Sequence, residues 1–247
     1  MSILRVWRRK KTMSYITTYT EKHIDPVNPN PRMIDIADIA HALSLICRGN
    51  GHVKTFWSVG QPCIACAKEA AARGLPDRIV LACLLHDASE CYMSDVPRPF
   101  KQELPRYREL EEHLISVIYE KFLGSNLTSE EKAELREIDN DMLWYDMKYL
   151  LGEKDTGEPP EIHIDIDYTV RPFEEVEAEY FELFLKHYIV EVELEGKFNI
   201  TLGTALVIKT DKMLYAGQTI IADGEKYRIK SFMGSVDKLA TLVERIL

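Results

Sequence analysis

The chain has 247 residues, 46% of them hydrophobic and 29% charged, with a formal net charge of −9. This balance fits a soluble globular protein with room for one sizeable core, or one core plus a small module. No run approaches the roughly 18 uninterrupted apolar residues that span a bilayer, and the acidic excess has the wrong sign for tracking a phosphate backbone, so neither a membrane nor a nucleic-acid polymer is expected as partner.

Residues 1–12, "MSILRVWRRKKT", carry Arg5, Arg8, Arg9, Lys10 and Lys11 but no apolar stretch followed by a small-residue cleavage site. They read as a basic N-terminal extension ahead of Met13. Without these five, 26 basic residues face 40 acidic ones, a balance of −14. Five cysteines, an odd number, suggest no disulfide framework, and a cytoplasmic location is expected.

A Pro/Asn-rich loop at 25–31 leads into an apolar-periodic helix that stops at Gly49 or Gly51. Pro62 to Arg73 is an Ala-rich helix containing Cys63 and Cys66; with no second C-x-x-C to complete a zinc site, these read as two small helix residues. Asp77 to Cys91 is apolar on nearly every face and predicts one buried helix. "LPRYRELEEHLISVIYEKFLG" is amphipathic, with Gly124 as its stop. Thr128 or Ser129 caps the next helix, whose first turn is rich in Glu. "EKDTGEPPE" is a loop, and "VRPFEEVEAEYFELFLKHY" is a last long helix.

From Tyr188 the apolar period becomes two, with Val190, Val192 and Leu194 alternating with glutamates. Asp223-Gly224 between two β-rich runs predicts a hairpin. Residues 187–247 therefore read as a small antiparallel β module closed by an amphipathic helix, "SVDKLATLVERIL". The expected fold is mainly α, a helical bundle over residues 13–186 carrying this module at its C-terminus.

The chemistry concentrates in "LACLLHDASECYMSDVPRPFK", residues 81–101. On a continuous helix His86, Asp87 and Glu90 share one face, and crowded carboxylates behind an apolar run repel one another unless a cation joins them. One divalent metal ion suits this imidazole and carboxylate set; Fe, Mn, Co, Ni, Zn and Mg all remain open. Arg48 and Lys54 offer charge for a phosphate, and Trp57 offers a face for a base or, equally, a core anchor beside Phe56. His41, within an apolar helical pattern, reads as a satisfied core histidine.

The order of "SVGQPCIACAKEA", "ACLLHDASECYMSDVPRPFK" and "REIDNDMLWYDMK" resembles the HD-domain metal-dependent phosphohydrolases, in particular their 5′-deoxynucleotidase-like branch. The resemblance covers roughly residues 34–186, and "LLHDASE…DVPRPFK" is its specific part. It implies His86 and Asp87 as metal ligands, with a later aspartate, Asp141 or alternatively Asp139, completing them. It implies Glu90 as the acid/base that activates water and Asp95 as a group that orients the attacked phosphate. This sequence departs from the family at Pro62, where an earlier histidine ligand is usual; His52 is the nearest candidate by sequence, as a ligand, on the substrate side, or as an ordinary loop histidine.

The resemblance implies a divalent-metal-dependent hydrolase of a nucleotide, a (deoxy)nucleoside 5′-monophosphate first, and a homodimer. The alternatives are a nucleoside triphosphate or alarmone hydrolase, or an HD-domain binding or regulatory protein weakened by Pro62.

Overall fold

The computed structural model describes residues 15–200, 203–210, 212–233 and 239–246. The basic extension at 1–12 lies outside them. A two-stranded hairpin, β1 (Ile16–Thr17) and β2 (His23–Ile24), opens the described chain. It is tied to α1 (Ile36–Leu45) by Asp38, which accepts from the Thr20 amide at 2.6 Å and the Thr20 hydroxyl at 2.9 Å. Here His41 is not a core residue. Its ring stacks on Tyr19, and its Nδ1 lies 3.0 Å from Glu177 Oε2.

The helical layer continues through α2 (Gly60–Ala72), α3 (Asp77–Leu85), α4 (Glu90–Met93), α5 (Arg98–Lys101), α6 (Pro105–Leu123), α7 (Ser129–Asp146) and α8 (Phe173–His187). Small residues let α2 sit close to its neighbours: a Cβ on Gly60 would stand 3.3 Å from both the Leu43 carbonyl oxygen and Val176 Cγ1. Ile79 through Leu85 are all buried, so α3 runs through the centre of the layer. Burying side chains such as Leu84 and Leu85 contributes about 1.5–3 kcal/mol each. Thr128 caps α7 in a reciprocal box, its hydroxyl accepting from the Glu131 amide while Glu131 accepts from the Thr128 amide. At its far end α7 widens into a π-helical turn, Met147–Leu151, and stops at Gly152 with a positive φ of 78°.

Two expectations are corrected. The predicted helix over Asp77–Cys91 breaks after Leu85. Residues 86–90 form tight turns in which the Ala88 amide donates to Leu85 and the Glu90 amide to Asp87, before α4 begins at Glu90. The second correction concerns the fold class. The chain is not a mainly α bundle with a small antiparallel module, because its C-terminal part is a closed five-stranded barrel in the order β3-β4-β7-β6-β5.

These strands are β3 (Val190–Ile200), β4 (Gly203–Lys209), β5 (Thr219–Ala222), β6 (Glu225–Met233) and β7 (Leu239–Arg245). The stretch expected to be a terminal helix supplies β7 at 239–245. It pairs antiparallel with both β4 and β6, so ladder hydrogen bonds prevail over its helical apolar spacing. Closure comes from β3, which pairs parallel with β5. Asp223 and Gly224, with φ of 50° and 76°, make the tight β5–β6 turn that favours these two residue types.

Val190, Leu206, Ile208, Ile220, Tyr227, Ile229 and Val243 fill the barrel, and their packing is continuous with the helical core. The joint is aromatic: Phe184 stacks on Tyr188 at 4.7 Å, and Phe122 meets Phe184 edge-on at 5.1 Å. No helix among the described residues is long and apolar enough to cross a membrane.

Candidate functional site

The site gathers where α3 ends. Its apolar interior fixes the position of His86, whose side chain is only 7% exposed. His86 Nδ1 stands 2.7 Å from the Cys83 carbonyl oxygen, which can only accept, so Nδ1 carries the hydrogen. Nε2 then faces the opposite way, buried and without a hydrogen-bond partner. Around it stand Asp87 Oδ2 at 3.3 Å and Asp139 Oδ1 at 3.5 Å. Cys63 and Cys66, both buried on one side of α2, complete the surround. The donor atoms of Cys63, His86 and Asp87 lie within 4.8 Å of one another, as do those of Cys66, His86 and Asp139.

The electrostatics follow from this crowding. Burial works against a charged His86, but Asp87, then Cys63 and Asp139, outweigh it and hold the imidazole well above its usual range. Burial likewise pushes Asp87 up, yet His86 and Arg48 prevail and keep it well below the carboxylate range. Burial, reinforced by Asp87 and Asp95, raises Glu90 to about 10, so it keeps its proton at neutral pH; its Oε2 is a second buried atom without a partner. Burial pushes the Cys63 and Cys66 thiols up as well. A site with one positive ring facing acids and thiols is the setting in which a divalent ion can replace the ring's proton.

Cations border the cluster on one side. Arg48 Nε lies 2.9 Å from Asp146 Oδ2 and its Nη1 3.9 Å from Asp87. Tyr168 steadies Asp146 by donating to its other oxygen at 3.1 Å. Lys101 Nζ is 2.7 Å from Glu111 and 3.7 Å from Glu90. The turn carrying Arg48 is shaped by Gly49 and Asn50, both at positive φ. It is pinned by Asp95, whose Oδ2 accepts from the Gly49 amide at 2.9 Å. Beside this turn opens a cavity of about 290 Å³ lined largely by apolar groups, including Val53, Pro99, Leu143 and Leu150, with Arg48 and Asp95 at its polar end.

The structure thus brings together His86, Asp87 and Glu90, with Arg48 and Asp95 at the rim. Other candidates are placed elsewhere. Asp141, the first choice for the later ligand, accepts from Arg73 at 2.7 Å, while Asp139 is the aspartate that reaches His86. The reason is helical phase, since residues two apart on α7 project to nearly opposite sides. His52 is exposed at the end of the Arg48 turn and joins neither donor group found among the described residues. Lys54 is exposed with its chain against Gly152, and does not line the cavity. Trp57 is 3% exposed and packs 4.9 Å from Tyr168, the core-anchor alternative.

Sequence reasoning missed Cys63, Cys66 and Asp146. The signal for Asp146 was its spacing of seven from Asp139, which keeps both on one face of α7. For Cys63 the signal was its position directly after Pro62, and for Cys66 its place one turn further along the same helix.

No family model matches this chain. Two bacterial proteins share part of it. Uncharacterized protein YfdR of Escherichia coli K12 is 40% identical over 110 residues, covering 44% of this chain and 59% of that protein. An uncharacterized protein of Rhodobacter capsulatus is 34% identical over 107 residues, covering 41% of this chain and 54% of its own length. The chain therefore spans little more than half the length of the curated relatives it matches.

Proposed function

We propose that this chain is a divalent-metal-dependent phosphohydrolase acting on a nucleotide, with a (deoxy)nucleoside 5′-monophosphate as substrate. The observation that carries the reading is His86 Nε2, buried, without a hydrogen-bond partner, and aimed among Asp87, Asp139 and two thiols. A carbonyl partner on the far ring nitrogen is the arrangement that orients a metal-bound imidazole. The resemblance of "LLHDASE…DVPRPFK" to HD-domain phosphohydrolases supports the same chemistry.

In this reading His86, Asp87 and Asp139 hold the ion. A bound divalent ion supplies Lewis acidity, polarising a phosphoryl oxygen and making water more acidic. The chain's own groups do the rest. Arg48, steadied by Asp146, presents its guanidinium to phosphate oxygens. Glu90 handles the proton of the attacking water, and Lys101, 3.7 Å away, is the nearby cation that favours its anion. Asp95 holds the Arg48 turn in place through the Gly49 amide, a positioning role. The apolar cavity beside Arg48 receives the nucleoside. We place the protein in the cytoplasm, where its five free cysteines stay reduced.

A second reading, a weakened binding or regulatory protein, is favoured by one observation: the position of the usual first histidine is Pro62, and His52 stands apart from the cluster.

One assay separates these readings. The purified chain, loaded with each candidate metal, is incubated with a panel of nucleotides, and phosphate, pyrophosphate and triphosphate are quantified. Metal-dependent release of phosphate from a 5′-monophosphate is expected. Pyrophosphate or triphosphate release would move the reading to the longer nucleotides, and inert metal-loaded protein that gains turnover as Pro62→His would replace it with the second reading.

A further inference from the structure

Resting on the metal-site reading above, we propose that Cys63 supplies a thiolate to the ion held by His86, Asp87 and Asp139, so that the site selects a thiophilic ion such as zinc or cobalt(II). Pro62 gives no donor atom, but the next residue along α2 does. Cys63 is fully buried, and its sulfur belongs to the same compact donor group as a His86 ring nitrogen and an Asp87 oxygen. Donor atoms around one tetrahedral ion stand about 3.5 Å apart, a spacing the group's 4.8 Å span accommodates after a small contraction.

Geometry distinguishes the two cysteines. Cys63, directly after Pro62, groups with the adjacent pair His86 and Asp87, whereas Cys66, one turn further along α2, groups with His86 and Asp139. As the sulfur–metal bond forms, the thiol proton leaves to solvent and Nε2 gives its lone pair in place of its own proton. One sulfur, one nitrogen and two carboxylate oxygens make a mixed donor set that suits zinc or cobalt(II) and disfavours magnesium, which demands oxygen ligands.

The test titrates the full-length, metal-free protein with cobalt(II) under reducing conditions and follows the sulfur-to-cobalt charge-transfer band in the near ultraviolet. One cobalt per chain, with the band present in the parent and in Cys66→Ser, is expected. Cys63→Ser should lose the band while still binding cobalt, at least about tenfold more weakly, the loss that even an outer-sphere partner of a metal ligand produces. X-ray absorption of the cobalt-loaded parent, which needs no variant to fold, should show a sulfur neighbour. Cobalt bound without the band or the sulfur neighbour, or a band that survives in Cys63→Ser, overturns the thiolate and leaves the hydrolase reading standing. Failure of the parent to take up cobalt at all overturns both.

Discussion

In the barrel, Gln218 is fully buried, yet its amide donates to the Tyr188 carbonyl oxygen at 3.2 Å and its carbonyl accepts from the Tyr215 amide at 2.9 Å. Thr241, equally buried, donates to the Leu206 carbonyl oxygen. No buried side-chain nitrogen or oxygen of the barrel's described residues lacks a partner. Around α3 the reverse holds: His86 Nε2, Glu90 Oε2, Gln61 Nε2 and Trp57 Nε1 are buried without one. An unsatisfied buried polar group costs about 1–3 kcal/mol, so the same chain meets this requirement in one region and leaves it open in the other. The metal ion and substrate of the proposed function would bring partners to His86 and Glu90 in the open region.

The contrast breaks most visibly at Glu90. Glu90→Gln should lower turnover by about 10²–10⁴-fold, as expected for a general acid or base, with the melting temperature held or raised because a buried, repelled carboxyl has been removed. Steady-state kinetics and calorimetry on one preparation check both halves, and a parent-like rate would remove Glu90 from the chemistry.

A pair of aspartates sharpens it next. Asp139→Asn should weaken metal binding by at least about 10–100-fold. Asp141→Asn should leave metal uptake unchanged and cost no more than about 1 kcal/mol through its lost ion pair with Arg73. Equilibrium dialysis distinguishes them, and reversed effects would mean that α7 presents its other face.

For the barrel the expectation is purely structural. Gln218→Ala should cost about 1–3 kcal/mol, read from urea denaturation, with metal affinity and turnover untouched.

The smallest effect is a pH slope. Burial favours a neutral Glu69, but hydrogen bonds from His163 and Arg73 prevail and hold its carboxyl below the usual range. A depressed folded value means that the unfolded chain binds more protons, so this stabilisation is present above the ordinary glutamate range and fades as pH falls through the folded value. Melting temperatures between pH 7 and pH 3 should fall less steeply for Glu69→Gln than for the parent. An equal slope would show that the network does not respond to protonation.

Much of this could be read from residue order. Period-two alternation after Tyr188 and the Asp223-Gly224 turn marked strands, and "LLHDASE" marked the buried polar cluster at the end of α3. What could not be read was long-range. "LATLVER" has helical apolar spacing, and only its two neighbours make it β7; a barrel closed by a parallel β3–β5 pair leaves no local trace. The break after Leu85 was hidden because the run is apolar throughout, and period says nothing where every face is buried. At the site, the sequence distance between Cys66, His86 and Asp139 concealed one donor group, and that between Cys63 and the His86–Asp87 pair the other. Asp139 and Asp141 could be told apart only by the rotational phase of α7.

Ring closure also governs how this chain can associate. Each of the five strands has a neighbour on both sides, yet β3 meets β5 only over Val190–Val192, so the longer part of β3 keeps an open ladder edge on that side. Self-association or partner capture through this part has two routes, that edge and the side-chain faces, where Phe198 and Phe232 stand exposed.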